Sequence, residues 1–308
     1  MTDLSGWPAL VLTAGLATRL RPLSHVRAKA AMPVAGEAIV ERILQWLRAF
    51  GVQRVVLNLH HKPESITAIV GDGSQYGVQV RYSWEPSVLG SAGGPRRALS
   101  LLESDRFLIV NGDTLTNCDL VKVASHHVAS TARVTMAVVR GDVERYGGVL
   151  IDGEGRVSGF GKPAPGQRAL HFIGVQAVEA GVFTALADDE PAETVRQIYP
   201  ALIRQQPDAV TVFESDAEFL DVGTARDYLS TVASIAARER RPLDVGHGCN
   251  IAPDVHVENT VIWDRVTIGP GARLVNCVVA DDVVVAAGAT HENAVLIQTP
   301  EGVATSAL

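Results

Sequence analysis

LVLTAGLATRLRPLSHVRAKAAMPV, residues 10–34, joins an apolar run to a turn of small residues and then to a row of cations. Residues 9–13 predict a buried strand. Thr13, Ala14, Gly15, Leu16, Ala17 and Thr18 predict the turn that follows it. Backbone N–H groups gathered in such a turn form a concavity that holds anions. Arg19, Arg21, Arg27 and Lys29 come next and are expected to neutralise what the backbone holds. A small-residue turn alone serves equally well as a plain strand–loop connection. The cations and the features downstream favour the phosphate cradle.

Outward from this segment, the first 110 residues alternate apolar runs with amphipathic stretches. Ile39, Ile43, Leu44, Leu47 and Phe50 recur at helical spacing, with Gly51 placed to end the helix. Residues 55–59, 78–82 and 107–110 predict strands, and residues 64–70 and a stretch from about Ala92 predict helices. Strands alternating with helices imply parallel βαβ units, whose ligands bind at the C-terminal strand ends. Both the opening turn and Asn111-Gly112-Asp113 fall at such ends. Residues 134–139, 149–151, 157–160 and 172–178 predict an antiparallel addition. Helices are expected over 180–187 and 193–204, and from Thr224 to about Arg240.

After Arg240-Arg241-Pro242 the texture changes. Aliphatic residues recur every six positions: Val245, Ile251, Val257, then, after one five-residue step, Ile262, Ile268, Leu274, Ala280 and Ala286. Such hexapeptides predict a parallel β-helix. Residues 299–308 are expected to fray. The chain therefore divides into a domain over 1–240 and a hexapeptide-repeat domain over 241–308.

The 308 residues carry a net charge of −7, which argues against a nucleic-acid partner. No signal peptide and no apolar run of membrane length are visible, so a cytoplasmic protein with no membrane partner is expected. Cys118, Cys249 and Cys277 are odd in number and widely spaced, which predicts reduced thiols. The adjacent His60-His61 and His126-His127 pairs read as surface residues, and Asp188-Asp189-Glu190 as a solvated loop.

Several motifs then line up in order. Gly15-Leu16-Ala17-Thr18-Arg19-Leu20-Arg21-Pro22-Leu23-Ser24, Ala28-Lys29-Ala30 with Pro33-Val34, Leu89-Gly90-Ser91-Ala92-Gly93, Asn111-Gly112-Asp113, Gly161-Lys162-Pro163 and Asp221-Val222-Gly223-Thr224 run from one end of the first domain to the other. In this the chain resembles the sugar-1-phosphate nucleotidyltransferases with a C-terminal left-handed β-helix, mannose-1-phosphate guanylyltransferases in particular. The resemblance implies an α/β, Rossmann-like three-layer domain with a mixed sheet, followed by a short β-helix. The exposed coil ends and valine-rich faces of that β-helix are expected to favour self-association into a homo-oligomer. It departs from the family pattern at Ala17 (glycine), Ala28 and Ala30 (prolines) and Gly161 (glutamate). A methyl at position 17 matters where φ is positive. Losing the prolines is expected to loosen the lysine segment, and losing the glutamate to leave Lys162 without a carboxylate neighbour.

The implied reaction joins a sugar 1-phosphate to the α-phosphorus of a nucleoside triphosphate and releases pyrophosphate. It needs alignment of two anions and neutralisation of the charge between them. The resemblance assigns Asp113 and Asp221 to Mg²⁺, Arg19 to the β- and γ-phosphates, Lys29 to the α-phosphate and leaving group, and Lys162 to the sugar phosphate. Ala14, Gly15, Ala17, Thr18 and Gly90 would meet the nucleotide, and Gly147 and Gly174 the sugar. Glu85, placed near the base, could accept the two N–H donors of guanine, which favours GTP over UTP or dTTP. A non-catalytic, nucleotide-sugar-binding regulator is the competing class. An acyltransferase using His247 and His256 has too few hexads. A dinucleotide dehydrogenase lacks the glycines, since Ala17 and Leu20 replace them.

Overall fold

The computed structural model describes residues 3–243 and 245–308, and the backbone alone at Thr114; Met1 and Thr2, which open the stretch read as lacking a signal peptide, lie outside the described residues. The chain forms two compact units: residues 1–15, 43–61 and 70–219, and residues 16–42, 62–69 and 220–308. Residues 16–42 thus group with the C-terminal repeats and not with the strand that precedes them.

The first unit is built on a mixed sheet. Its strands are β1 (Ala9–Leu12), β2 (Arg54–Leu59), β3 (Gln79–Trp84), β4 (Arg106–Asn111), β5 (Val134–Val139), β6 (Gly148–Ile151), β7 (Val157–Gly161), β8 (Arg168–Glu179) and β9 (Val210–Glu214). The spatial order is β7-β6-β8-β4-β1-β2-β3, with β5 against β8 and β9 against β5. β1 lies centrally, parallel to both β2 and β4, so its apolar run is covered on each side. β8 runs antiparallel to β4, β5 and β6. Its register slips between Phe172 and Gln176, around Gly174 at φ 78°. That bulge frees the first residues of β8 to pair with β6.

Helix α1 (Ile39–Ala49) has the expected stripe, and Gly51, at φ 92°, closes it with its N–H on the Arg48 carbonyl. Helix α2 (Gly90–Leu102) starts two residues before the expected position. Two helix expectations are corrected. Residues 180–187 hold only a 3₁₀ turn, Ala180–Val182. The helix expected over 193–204 is a π-turn, Thr194–Ile198, followed by an α-helix, Tyr199–Gln205. Pro200 has no N–H for the carbonyl four residues back, which disfavours one continuous α-helix there. His127 is corrected too: it is buried, with Nδ1 2.9 Å from Thr135 Oγ1 and its ring edge-on to Trp7.

In the second unit, α3 (Ala225–Glu239) begins as expected, with Thr224 Oγ1 accepting the Asp227 N–H at 3.2 Å. Beyond it, short parallel strands stack with a constant offset of 17 residues: Asn250 on Thr267, Thr267 on Val284, His256 on Arg273 and Arg273 on Thr290. The five-residue step is therefore not a single slip but recurs once per repeat. Val279, not Ala280, lies beside Ile262, and Val285, not Ala286, beside Ile268. Ala286 is exposed, while Ile262, Val279 and Leu296 line the core. Positive φ recurs at the same spacing, at Gly248, Arg265 and Asp282 and at Asn259, Asn276 and Asn293. The three asparagines hydrogen-bond in a ladder. Residues 299–308 do not fray. Gly302–Ala307 pairs antiparallel with Thr290–Thr299, because Gly302, at φ 123°, allows the chain to reverse.

No helix among the described residues is long and apolar enough to cross a membrane. All three cysteines are free thiols.

Candidate active site

At the C-terminal end of β1, Thr13 donates its N–H to Asn58 Oδ1 at 2.6 Å, and its hydroxyl to the Asn58 carbonyl. This fixes the exit of β1 against β2. Ala14 is buried and Gly15 is exposed, with nothing within 4 Å of the position a Cβ would take. The backbone there can be approached closely.

Glu85 is fully buried. Asn58 Nδ2 donates to its Oε1 at 2.7 Å, and the Leu89 N–H donates to its Oε2 at 2.9 Å. Each oxygen of the carboxylate expected to meet guanine thus accepts a hydrogen bond inside the protein, tying Asn58 to the turn leading into Gly90. Gly90 is itself constrained, with φ at 75° and any Cβ 2.7 Å from the Ala192 carbonyl oxygen. Sequence identifies Glu85 as special; its depth depends on how β2, β3 and α2 pack.

Asp113 follows β4 in a turn and is half-buried. Gly174, in the β8 bulge, would place a Cβ 3.0 Å from Asn111 Cβ, so backbone without a side chain is required beside the aspartate motif. Next to β8 lies a cavity of about 360 Å³ lined by Tyr146, Gly147, Gly161, His171, Phe172 and Arg196, among others. Gly147, which the resemblance assigns to the sugar, is in this lining; Tyr146, His171 and Arg196 carry no motif in the sequence. The rings of Tyr146 and His171 meet at a tilt of 48°, with 4.8 Å between centroids. Burial pushes the His171 pKa down, so the ring is neutral at pH 7. Lys162 is exposed, and Glu144 stands 3.9 Å from its Nζ. The lost glutamate at 161 is therefore answered by a carboxylate from another segment.

The second unit holds Ala17, Thr18, Arg19, Lys29 and Asp221. Ala17 sits at φ 48°, ψ 44°, at the start of the 3₁₀ turn Thr18–Leu20. This left-handed conformation costs an alanine about 1 kcal/mol relative to glycine. A Cβ on Gly223 would lie 2.7 Å from Asp221 Oδ2 and 3.3 Å from both terminal nitrogens of Arg19. Residues two hundred positions apart thus converge on one glycine. Lys29 opens the turn Lys29–Ala31 and is half-buried. The preceding Ala28 donates its N–H to Ser65 Oγ at 3.0 Å, a bond a proline could not make. The alanine does not loosen this segment but exchanges a ring for a hydrogen bond.

Arg27 is the correction to the row of cations. It is committed to Asp264 and Asp281 and is unavailable to a phosphate.

Among the described residues no three His, Cys, Asp or Glu groups converge as metal ligands. Single carboxylates at Asp113 and Asp221 are hard oxygen donors. They suit an ion such as Mg²⁺, which takes one or two carboxylates and completes its shell with phosphate oxygens and water.

The chain is 30% identical over 289 residues to a mannose-1-phosphate guanylyltransferase of Mycobacterium tuberculosis, covering 84% of this chain and 80% of that one. It is 28% identical to a UTP–glucose-1-phosphate uridylyltransferase of Synechocystis, over 85% of this chain and 72% of that one. The fold matches crystalline HddC from Yersinia pseudotuberculosis complexed with GMP-PN, with a TM-score of 0.63 and 23% identity over 74% of this chain and 99% of that one. The model of the nucleotidyl transferase family matches residues 8–238, three quarters of the chain, and the chain belongs to that family.

Proposed function

We propose that this protein transfers a nucleotidyl group from a nucleoside triphosphate, GTP by preference, to a sugar 1-phosphate, mannose 1-phosphate or a close relative. The products are the nucleoside diphosphate sugar and pyrophosphate. The observation that carries this reading is the convergence of Arg19 and Asp221 on the buried Gly223, a cation and a carboxylate so close that a side chain at that position would meet both. The relatives support sugar-1-phosphate chemistry, and the Mycobacterium tuberculosis relative favours the guanylyl form. Glu85 is buried and already accepts hydrogen bonds from Asn58 and Leu89, so the preference for GTP rests on the relatives.

In this reaction an oxygen of the sugar phosphate bonds to the α-phosphorus as the bond to the β-phosphate oxygen breaks, in line. The phosphate is already a nucleophile, and no side chain need remove a proton. Arg19 clamps the β- and γ-phosphates, where a guanidinium can make paired hydrogen bonds. Lys29 neutralises the α-phosphate and the departing pyrophosphate, and Lys162 holds the sugar phosphate. Backbone at Ala14, Gly15, Ala17, Thr18 and Gly90 meets the nucleotide; Gly147 and Gly174 admit the sugar. Bound Mg²⁺, held by Asp113 and Asp221, would neutralise charge accumulating on the phosphates.

A coupled pyrophosphate assay across four triphosphates and several sugar phosphates tests the reading. Turnover is expected to be fastest with GTP and mannose 1-phosphate. Faster turnover with UTP would favour the uridylyl form, which the Synechocystis relative represents. No turnover with any triphosphate would leave the regulatory class.

The 17-residue stack is read as a short left-handed β-helix that mediates self-association, since Val245, Val257 and Val284 lie exposed on it. Small-angle scattering at micromolar protein is expected to give a multiple of the chain mass; a monomer mass would remove this assignment.

A further inference from the structure

We propose that Arg27 is a positioning residue and that the C-terminal repeats form, through it, the rigid backing of the turn that carries Lys29. This rests on the nucleotidyl-transfer reading above for the role of Lys29. Arg27 stands two residues before Lys29, and its guanidinium leaves that turn to lie across the repeats. Its Nε donates to Asp281 Oδ2 at 2.7 Å, and its Nη2 donates to Asp281 Oδ1 at 2.7 Å and to Asp264 Oδ2 at 2.5 Å. The Arg27 side chain is 15% exposed and that of Asp281 9%. The pair is therefore little screened by solvent, unlike most surface ion pairs. Asp264 and Asp281 are 17 residues apart, the same position in successive repeats, and the Asp264 N–H donates to Asp281 Oδ1 at 3.0 Å. The repeat thus presents two carboxylates in register, and one planar guanidinium can span both.

The same contact continues into α3. The Arg27 guanidinium carbon lies 5.3 Å from the centroid of the Trp263 ring, which is fully buried. Trp263 Nε1 donates to the Tyr228 hydroxyl at 2.9 Å, and that hydroxyl donates to the Pro33 carbonyl at 2.5 Å. The Lys29 turn is thus gripped on both sides, at Arg27 before it and at Pro33 after it, by residues that begin with Tyr228 and end with Asp281. Ala28, through Ser65, adds a third tie. A turn carrying one catalytic cation gains from such bracing, since an ångström of misplacement can cost a hundredfold in rate.

Arg27→Ala, Arg27→Lys and Asp281→Asn, each in the full chain, test the clamp by two measurements. In hydrogen exchange, amides of residues 26–34 are expected to exchange roughly tenfold faster in all three, while β1 and β4 keep wild-type rates. In turnover with the triphosphate the wild type uses, kcat is expected to fall roughly tenfold or more in Arg27→Ala, and the KM for triphosphate to rise. The KM for sugar phosphate is expected to stay put. Arg27→Lys should recover only part of kcat, because an ammonium cannot bridge two carboxylates with paired bonds. Should Arg27→Ala fail to fold, the two milder variants carry the test. Unchanged exchange over 26–34 overturns the clamp, whatever the kinetics. Faster exchange with unchanged kcat and triphosphate KM overturns its catalytic consequence. A wild type without turnover would sink the functional reading and leave the exchange result to judge the clamp.

Discussion

Asp113→Ala is expected to lower Mg²⁺-dependent pyrophosphate release by at least roughly 100- to 1,000-fold, the range seen when one preorganised charge-stabilising group is removed. The side chain stands in the turn after β4, outside the β4 ladders with β1 and β8. Those ladders use backbone groups of residues 106–111, so the sheet should survive the loss. Circular dichroism and the thermal midpoint of the variant are expected to stay close to wild type. Asp113→Asn sharpens the test, because it keeps the shape and removes the charge; it should be impaired nearly as much. Retained turnover in either variant would refute the assignment.

The second large effect concerns acid stability. Burial, reinforced by Arg106 and His126, pushes the His127 pKa down from its ordinary 6.5 to about 4. In the unfolded chain the imidazole takes a proton near pH 6.5, and in the folded chain only near pH 4. Between those values the unfolded state holds more protons, so stability falls as pH falls through this window. The full difference is about 3 kcal/mol, present above pH 6.5 and lost by about pH 4. Urea titrations at pH 7.5, 5.5 and 4 are expected to show that decline. His127→Gln should flatten the part due to this residue while lowering stability at pH 7.5, since Thr135 and Trp7 lose a fitted partner. An equally steep decline in the variant would assign it to other groups.

Much of the sheet was legible because its signals are local. The apolar run at β1, the stripe of α1 and the closing Gly51 each need only a few neighbouring residues. The helix cap at Thr224 is of the same kind. The less legible features depend on partners remote in sequence. Arg27 looks identical to Arg19 when only charge and spacing are considered, yet its fate is set by two aspartates more than two hundred positions away. Glu85 and His127 are polar residues whose burial follows from the packing of separate elements. The repeat was visible, but a six-residue period with one slip and a 17-residue period agree over the first two turns and diverge only in the third, at Ala280 against Val279. Comparing Asp264 with Asp281, or the three ladder asparagines, would have revealed the longer period and with it the partners of Arg27. Tyr146, His171 and Arg196 carry no such mark, since a cavity wall has no periodicity.

The 17-residue offset also restricts how this chain can change length in evolution. An insertion or deletion of a whole repeat returns every corner and every asparagine to an equivalent place; any other length rotates the inward residues toward solvent. Even whole repeats are not interchangeable. One added beyond Leu296 would displace the antiparallel pairing of Gly302–Ala307 but leave the seat of Arg27 whole, whereas removal of the one bearing Asp281 would take away half of that seat. Lineages descended from this sequence are therefore freer to lengthen at the far end than to shorten near residues 264–281.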